Sequence, residues 1–423
     1  MKNKRLLILG GNPETAALVK VANDMGVHTV VVDPVENSPA KQVAKESYEV
    51  DALDIDALED LALKIRVDGV LVGVADILVR SYYYLCQRLN LPTYASSEAV
   101  DAFSSKIKFI EVCELYDITT TPRFTEYEAL NNKILKEEYP LLVKPVDNGG
   151  GVGISICQSF KDLSAAIKVG KSASKSKTVL IEKFMSCADM AAYYSFINGT
   201  PFLAATSDRY TSNKTYKGSP VCIGASYPSK YEKEFLLMVQ PKLLQMFKYL
   251  NIKDGVLNIQ FFKENDTFYA YDPGFRLQGE GFHIHLKSAF GFDQREALIN
   301  FSLSNPSSDY SNFIRNKRMG DNFHASTVWV LLKPGVIKAI SGLDAIFQLK
   351  SYKDILIRFK EGDEVTEQMV GTEKQVFCRI YLQHPNLDQM HSDIDSINKF
   401  LEVNSSDFSM IFDLLTPEVL VDN

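Results

Sequence analysis

The N-terminal part of the chain alternates continuously apolar runs with amphipathic ones. Residues 4–9 (KRLLIL), His28–Asp33 (HTVVVD) and Val67–Val74 (VDGVLVGV) carry almost no polar interruption. Runs of this kind predict strands buried on both faces. Between them, Gly10-Gly11-Asn12-Pro13-Glu14-Thr15 turns into a helix through about Met25, and DIDALEDLALKIR has helical spacing. Strand–helix alternation of apolar strands predicts an α/β fold with a doubly wound parallel sheet.

The pattern then changes. Residues 92–105 (PTYASSEAVDAFSS) read as a polar connection rich in Ser and Ala, followed by a helix from Lys106 to about Tyr116. Ile118–Phe124 reads as a turn into a strand, and Tyr139–Pro145 as a strand ending on Lys144. IKVGKSASKSK reads as a solvated basic loop, and Thr178–Met185 as a strand ending on the charged pair Glu182-Lys183. Strands at Ala191–Ile197 and Pro201–Ser207 flank an Asn198-Gly199 turn, with Asp208–Lys214 as a polar, basic loop and Lys233–Leu250 as an amphipathic helix. Val256–Phe262 and Thr267–Tyr271 flank the polar break Lys263–Asp266 (KEND), which predicts an antiparallel hairpin. Because side chains alternate with period two, Asn258, Gln260 and Phe262 share a face. In register, Gln260 and Asp272 meet near one end of the hairpin, with Arg276 just beyond. A Ser/Asn-rich linker (302–312) leads to strands at Ser326–Leu332, Ile355–Phe359 and Gln375–Tyr381, and a helix over Leu387–Val403.

With 423 residues, two or three domains are expected. A hydrophobic content of 46% and a charged content of 23% are those of an ordinary globular protein, and the net charge of -7 predicts no nucleic-acid partner. The apolar run near the N-terminus, Leu6–Leu9, is too short for a signal peptide, and no run is long enough to span a membrane, so no membrane partner is expected. Six scattered cysteines without CxxC spacing suggest free thiols in a reducing cytoplasm.

Three chemical signals stand out. Lys144 opens into Val146-Asp-Asn-Gly149-Gly150-Gly151-Val-Gly153-Ile154, where glycines let backbone N–H groups face a phosphate beside a fixed positive charge. It is not a Walker A loop, since the one Gly-Lys-Ser has Ala165 where the upstream Gly is required. Gly10-Gly11 with Asp33 invites a dinucleotide reading, but the full G-x-G-x-x-G is missing, and lining a substrate cleft is the alternative. His283-x-His285, if on a strand, would face one side and could ligate a metal.

In sequence order, Lys106, Lys144 with its glycine loop, Glu182-Lys183-Phe184-Met185, Asp189, Asn258-Ile-Gln260 and Asp272-Pro-Gly-Phe-Arg276 resemble the ATP-grasp superfamily. The carbamoyl-phosphate synthase, biotin carboxylase and L-amino-acid-ligase branch is nearest in style. The resemblance implies a pre-ATP-grasp domain over 1–95 and an ATP-grasp domain over 96–310. The latter would hold nucleotide between two α+β subdomains, with the lid subdomain at about 115–184. A small C-terminal α+β domain would follow over 320–423. It further implies ATP and Mg²⁺ as cofactors. Lys106, Lys144, Gly149, Gly150, Gly151 and Gly153 would hold the phosphates, Glu182, Lys183, Phe184 and Met185 the adenine, and Asp189 the ribose. Gln260 and Asp272 would hold the metal. Arg276 would brace the transferred phosphoryl group and Glu280 would act as a base or hold substrate. Three positions depart from the family pattern. Gly274 replaces an Asn that is a metal ligand, Gly151 replaces a Ser, and Val152 replaces a basic residue. The implied activity is an ADP-forming carboxylate–amine ligase that works through an acyl phosphate on small substrates such as amino acids, as a homodimer where the family habit holds. Bicarbonate phosphorylation and non-catalytic ATP binding are the alternatives.

Overall fold

A computed structural model of the chain describes residues 3–94, 96–147, 152–212, 221–304 and 323–422. Four parallel strands form the N-terminal sheet, in the order Glu46–Tyr48, His28–Val32, Arg5–Leu9, Gly69–Val72. Leu6–Leu9 are fully buried, as the apolar run predicts. The helix Pro13–Asp24 follows at once, with Asn12 as its N-cap accepting from Thr15 N at 2.8 Å and Pro13 pre-set for the first turn.

Two of the stretches read as loops are helical. Ser97–Ser104 is a helix capped by Ser96, with Val100 and Phe103 in the core. The Ser/Ala richness masked a three-residue apolar spacing and a capping serine. The basic stretch containing Gly170 and Lys171 is the end of helix Phe160–Ala173. Leu163, Ala166, Ile167 and Gly170 form its buried stripe, and a Cβ at Gly170 would lie 2.7 Å from Val179. Lys171 is paired with Glu126 at 2.6 Å.

That helix covers a four-stranded antiparallel sheet ordered Arg123–Phe124, Val179–Lys183, Leu141–Pro145, Ser155–Cys157, here called the lid sheet. Among the described residues, the largest sheet has nine strands. It runs Thr267–Gly274, Gly255–Glu264, Ala188–Ile197, Thr200–Thr211, Cys222–Tyr227, His324–Leu332, Val376–His384, Tyr352–Ile357, with Ile411–Leu414 pairing beside His324–Leu332. The C-terminal strands therefore continue this sheet, joined through Ser226 opposite Ser326. They keep a separate core behind helix Leu387–Phe400.

Asp208, Arg209 and Tyr210 were expected in a loop but belong to strand Thr200–Thr211. They fit a strand because each finds a polar partner inside: Asp208 accepts from Ser229, and Tyr210 bonds Ser226. Lys214 lies outside the described residues. His283 and His285 lie in helix Phe282–Phe290, not a strand, so two residues' separation turns them apart. Burial pulls both rings down to about 3, and His285 bonds Thr327 at 2.8 Å. The shared face that a strand would have given them is therefore absent.

The N-terminal and C-terminal parts meet at one charge. Arg358 and Arg379 both donate to Glu14 Oε1, while Arg379 also donates to Gly279 O at 2.6 Å and stacks 4.2 Å from the Trp329 ring centre. Glu14 sits in the first turn of helix Pro13–Asp24 and is nearly buried. Removing Glu14 takes away the one carboxylate the two buried guanidiniums share, leaving Arg379 with Gly279 O and Glu373 and Arg358 with Glu373 O. Glu14→Ala should therefore lower the unfolding free energy by about 3–5 kcal/mol, read by chemical denaturation. A loss below about 1 kcal/mol would mean that the arginines find solvent or other partners.

Candidate functional site

The hairpin forms as Gly255–Glu264 and Thr267–Gly274, with Asn265 in the left-handed conformation at the turn. Its register sets Gln260 opposite Asp272 and Asn258 opposite Gly274, with a bulge after Gln260. Phe275 then anchors the chain: its ring meets Tyr94 edge-on at 5.1 Å, and Tyr94 OH donates to its carbonyl at 3.3 Å. That anchor fixes Arg276, whose Nη2 lies 2.5 Å from Asp76 Oδ2.

Lys106 opens helix Lys106–Leu115, and its Nζ is 3.4 Å from Asp272 Oδ1. The Asp272 carboxylate holds the Lys106 ammonium above the usual lysine range, and Glu182 adds to the same field. Among the described residues, no group of three or more His, Cys, Asp or Glu side chains is arranged to hold a cation. The Asp272 carboxylate faces Lys106, and the hairpin register sets the Gln260 carboxamide opposite it. Such a set suits a divalent cation that brings its own phosphate and water ligands, and is poor for a bare ion.

On the lid sheet, Lys144 and Glu182 face each other at 2.5 Å, both side chains almost fully buried. Thr121 Oγ1 donates to the other Glu182 oxygen at 2.6 Å. The same short segment ties the lid sheet to the hairpin, because Thr119 O accepts from Ala270 N at 2.8 Å. Met185 is buried and Phe184 half-buried at the end of strand Val179–Lys183, whose Lys183 stands 3.8 Å from Glu138. Gly149, Gly150 and Gly151 lie outside the described residues. Gly153 has φ +79, and a Cβ there would lie 2.5 Å from Ala173, so both conformation and space demand glycine.

A second charge cluster flanks the hairpin. Arg209 Nη1 donates to Asp189 Oδ2 at 2.8 Å, and Nη2 donates to Glu280 Oε1 at 2.8 Å. Tyr271 OH donates to Asp189 at 3.0 Å, and Tyr193 OH donates to Glu280 Oε2 at 2.7 Å. Asp189 and Glu280, far apart in sequence, are thus joined by one guanidinium. Burial pushes the Asp189 carboxyl up to about 6 against the pull of Arg209. Burial also opposes ionisation of Glu280, but there Arg209 prevails and holds the carboxyl below its usual range.

The structure gathers Lys106, Gln260, Asp272 and Arg276 at one end of the hairpin, sets Asp189 and Glu280 beside Tyr271, and leaves Lys144 and Glu182 paired on the lid sheet. Arg209 was missed. Its signal exists only through register: Arg209 pairs with Asp189 across two strands, which no local pattern reveals.

The chain resembles known proteins over the same regions. Residues 3–103 match the family model "Ribonucleotide synthetase preATP-grasp domain", and residues 110–271 match "D-ala D-ala ligase C-terminus". A formate-dependent phosphoribosylglycinamide formyltransferase of Francisella tularensis is 27% identical over 189 residues, covering 44% of this chain. The chain spans about half that relative's length, 49%. Among solved structures, L-amino acid ligase from Bacillus licheniformis superposes with a TM-score of 0.78 at 16% identity, covering 96% of this chain and 100% of that one. The biotin carboxylase domain of 2-oxoglutarate carboxylase from Hydrogenobacter thermophilus, solved with MgADP, ADP and bicarbonate, gives 0.72 at 16% identity, covering 96% and 91%. The chain has the fold of a preATP-grasp domain followed by an ATP-grasp domain. No helix among the described residues is long and apolar enough to cross a membrane.

The raised Asp189 value carries a sign. Its folded carboxyl binds a proton more tightly than an unfolded one, so its contribution to stability is full below about pH 4 and is lost as pH rises through about 6. The melting-temperature difference between Asp189→Asn and the parent should therefore shift in favour of the variant between those values. A difference that stays flat from pH 4 to pH 7 would contradict the buried, raised carboxyl.

Proposed function

We propose that the protein is an ATP-dependent, ADP-forming carboxylate–amine ligase that activates a small carboxylic acid as an acyl phosphate and passes it to an amine. The observation that carries the reading is the convergence of Lys106, Gln260, Asp272 and Arg276 at one end of the hairpin, tied through Thr119–Thr121 to the Lys144–Glu182 pair.

A carboxylate is a poor acyl donor because the leaving oxide is strongly basic. Transfer of the γ-phosphoryl group onto one carboxylate oxygen turns that oxide into phosphate, which an amine then displaces. Such transfer depends mainly on positioning and charge neutralisation. Lys106 and Arg276 supply fixed positive charge, each held by an aspartate so that neither wanders. Lys144 does the same from the lid side, oriented by Glu182. A Mg²⁺ ion carried by the nucleotide and held by Asp272 and Gln260 would neutralise further phosphate charge. Gly149, Gly150, Gly151 and Gly153 would lay backbone N–H groups over the phosphates and keep water from the acyl phosphate.

Adenine would rest against Glu182, Lys183, Phe184 and Met185. The ribose would lie toward Asp189, and Glu280 would hold the incoming amine. Both acids are engaged with Arg209. In this reading Arg209 fixes their orientation. The resemblance to an amino-acid ligase and to a MgADP-bound carboxylase domain supports the fold that such chemistry uses. Amino acids are the first substrates to try, in a cytoplasmic homodimer.

Phosphate release from Mg²⁺-ATP, measured against a matrix of acids and amines with mass spectrometry of products, tests the proposal. A pair of substrates should give a condensed product and one ADP per bond. Asp272→Asn should lower kcat by about 100-fold or more while leaving the melting temperature close to the parent's. Full activity in Asp272→Asn and Lys144→Met would overturn the site assignment.

A further inference from the structure

Gly274 raises a question that its backbone does not answer. It is absent from the glycines with positive φ, so conformation alone would admit a side chain. Space does not. A Cβ at this position would lie 2.4 Å from Asn258 Oδ1 and 3.5 Å from Asp76 Oδ1. Side chains at 272 and 274 leave the strand on the same face. The oxygen of Asn258 therefore occupies the very volume that a residue-274 side chain would fill, next to the Asp272 carboxylate.

Asn258 is 5% exposed and stands directly opposite Gly274 in the hairpin. The hydrogen bond its Oδ1 accepts, from Gln278 Nε2, is at the 3.5 Å limit. A carboxamide oxygen has two acceptor sites, and a buried one held this loosely has capacity to spare. The neighbouring Asp76 carboxylate is different, because Arg276 engages it at 2.5 Å.

We infer that Asn258 supplies, from the first strand of the hairpin, the oxygen ligand that Gly274 cannot supply from the second. Asn258, Gln260 and Asp272 then present two neutral oxygens and one carboxylate to a nucleotide-bound divalent cation. The inference rests on the nucleotide site proposed above and names the ligand set of that site. Mg²⁺ and Mn²⁺ accept amide oxygens, and a set with a single carboxylate leaves room for the phosphate oxygens to complete the shell. A side chain at 274 would push the Asn258 oxygen from its present position, so glycine here leaves that position to Asn258.

The test is Mn²⁺ binding to the full-length protein, read by electron paramagnetic resonance in the presence of a non-hydrolysable ATP analogue. Asn258→Ala should weaken Mn²⁺ binding about tenfold or more. Asn258→Asp should bind at least as tightly as the parent, and the exchange Asn258→Gly with Gly274→Asn should recover most of the loss. Thermal melts of each variant show that the fold is retained. If Asp272→Asn weakens Mn²⁺ binding and Asn258→Ala does not, this inference is wrong and the nucleotide site stands. If Asp272→Asn binds Mn²⁺ like the parent, the site itself is wrong and the inference falls with it.

Discussion

The register of one hairpin decides the rest. With Gln260 opposite Asp272, their oxygens and that of Asn258 gather on one face, and Lys106 comes within 3.4 Å of Asp272. A slip of one residue would send each of these side chains to the other face. The register is held from both sides. Strand Ala188–Ile197 pairs along Gly255–Glu264, and Phe275 is locked against Tyr94 in the N-terminal core. Packing far from the chemistry therefore fixes where the chemistry sits.

Buried charge does the remaining positioning. Lys144 with Glu182 organises the lid sheet, Asp189 with Arg209 and Glu280 joins two neighbouring strands to the segment after the hairpin, and Glu14 with Arg358 and Arg379 joins the first helix to the C-terminal strands. Ion groups of this kind add little net stability, yet breaking one is expensive because the partner is left alone in a low-dielectric interior. Each group thus penalises arrangements in which its two pieces separate.

Local pattern made much of this readable. The apolar runs at Leu6–Leu9 and His28–Val32, alternating with helical stretches, read as buried parallel strands, and period-two alternation put Gln260 and Asp272 on one hairpin face. Ser97–Ser104 and the end of Phe160–Ala173 were hidden because small and charged residues outweighed a sparse apolar stripe. His283 and His285 sit in a short segment whose composition suits either period, and burial decided it. Arg209 was unreadable for a different cause: its partners are Asp189 and Glu280, and that pairing exists only once two strands and the segment after the hairpin are brought together. The continuity of the C-terminal strands with the central sheet is likewise a long-range pairing, Ser226 to Ser326, with no local mark.

The most direct measurement is a structure of the full chain with Mg²⁺ and a non-hydrolysable ATP analogue. The account predicts the triphosphate between the Lys144–Glu182 strands and the Gly255–Gly274 hairpin, with the cation against Asp272. Nucleotide seated at the Gly10-Gly11 turn of the N-terminal sheet, with Asp272 untouched, would contradict it.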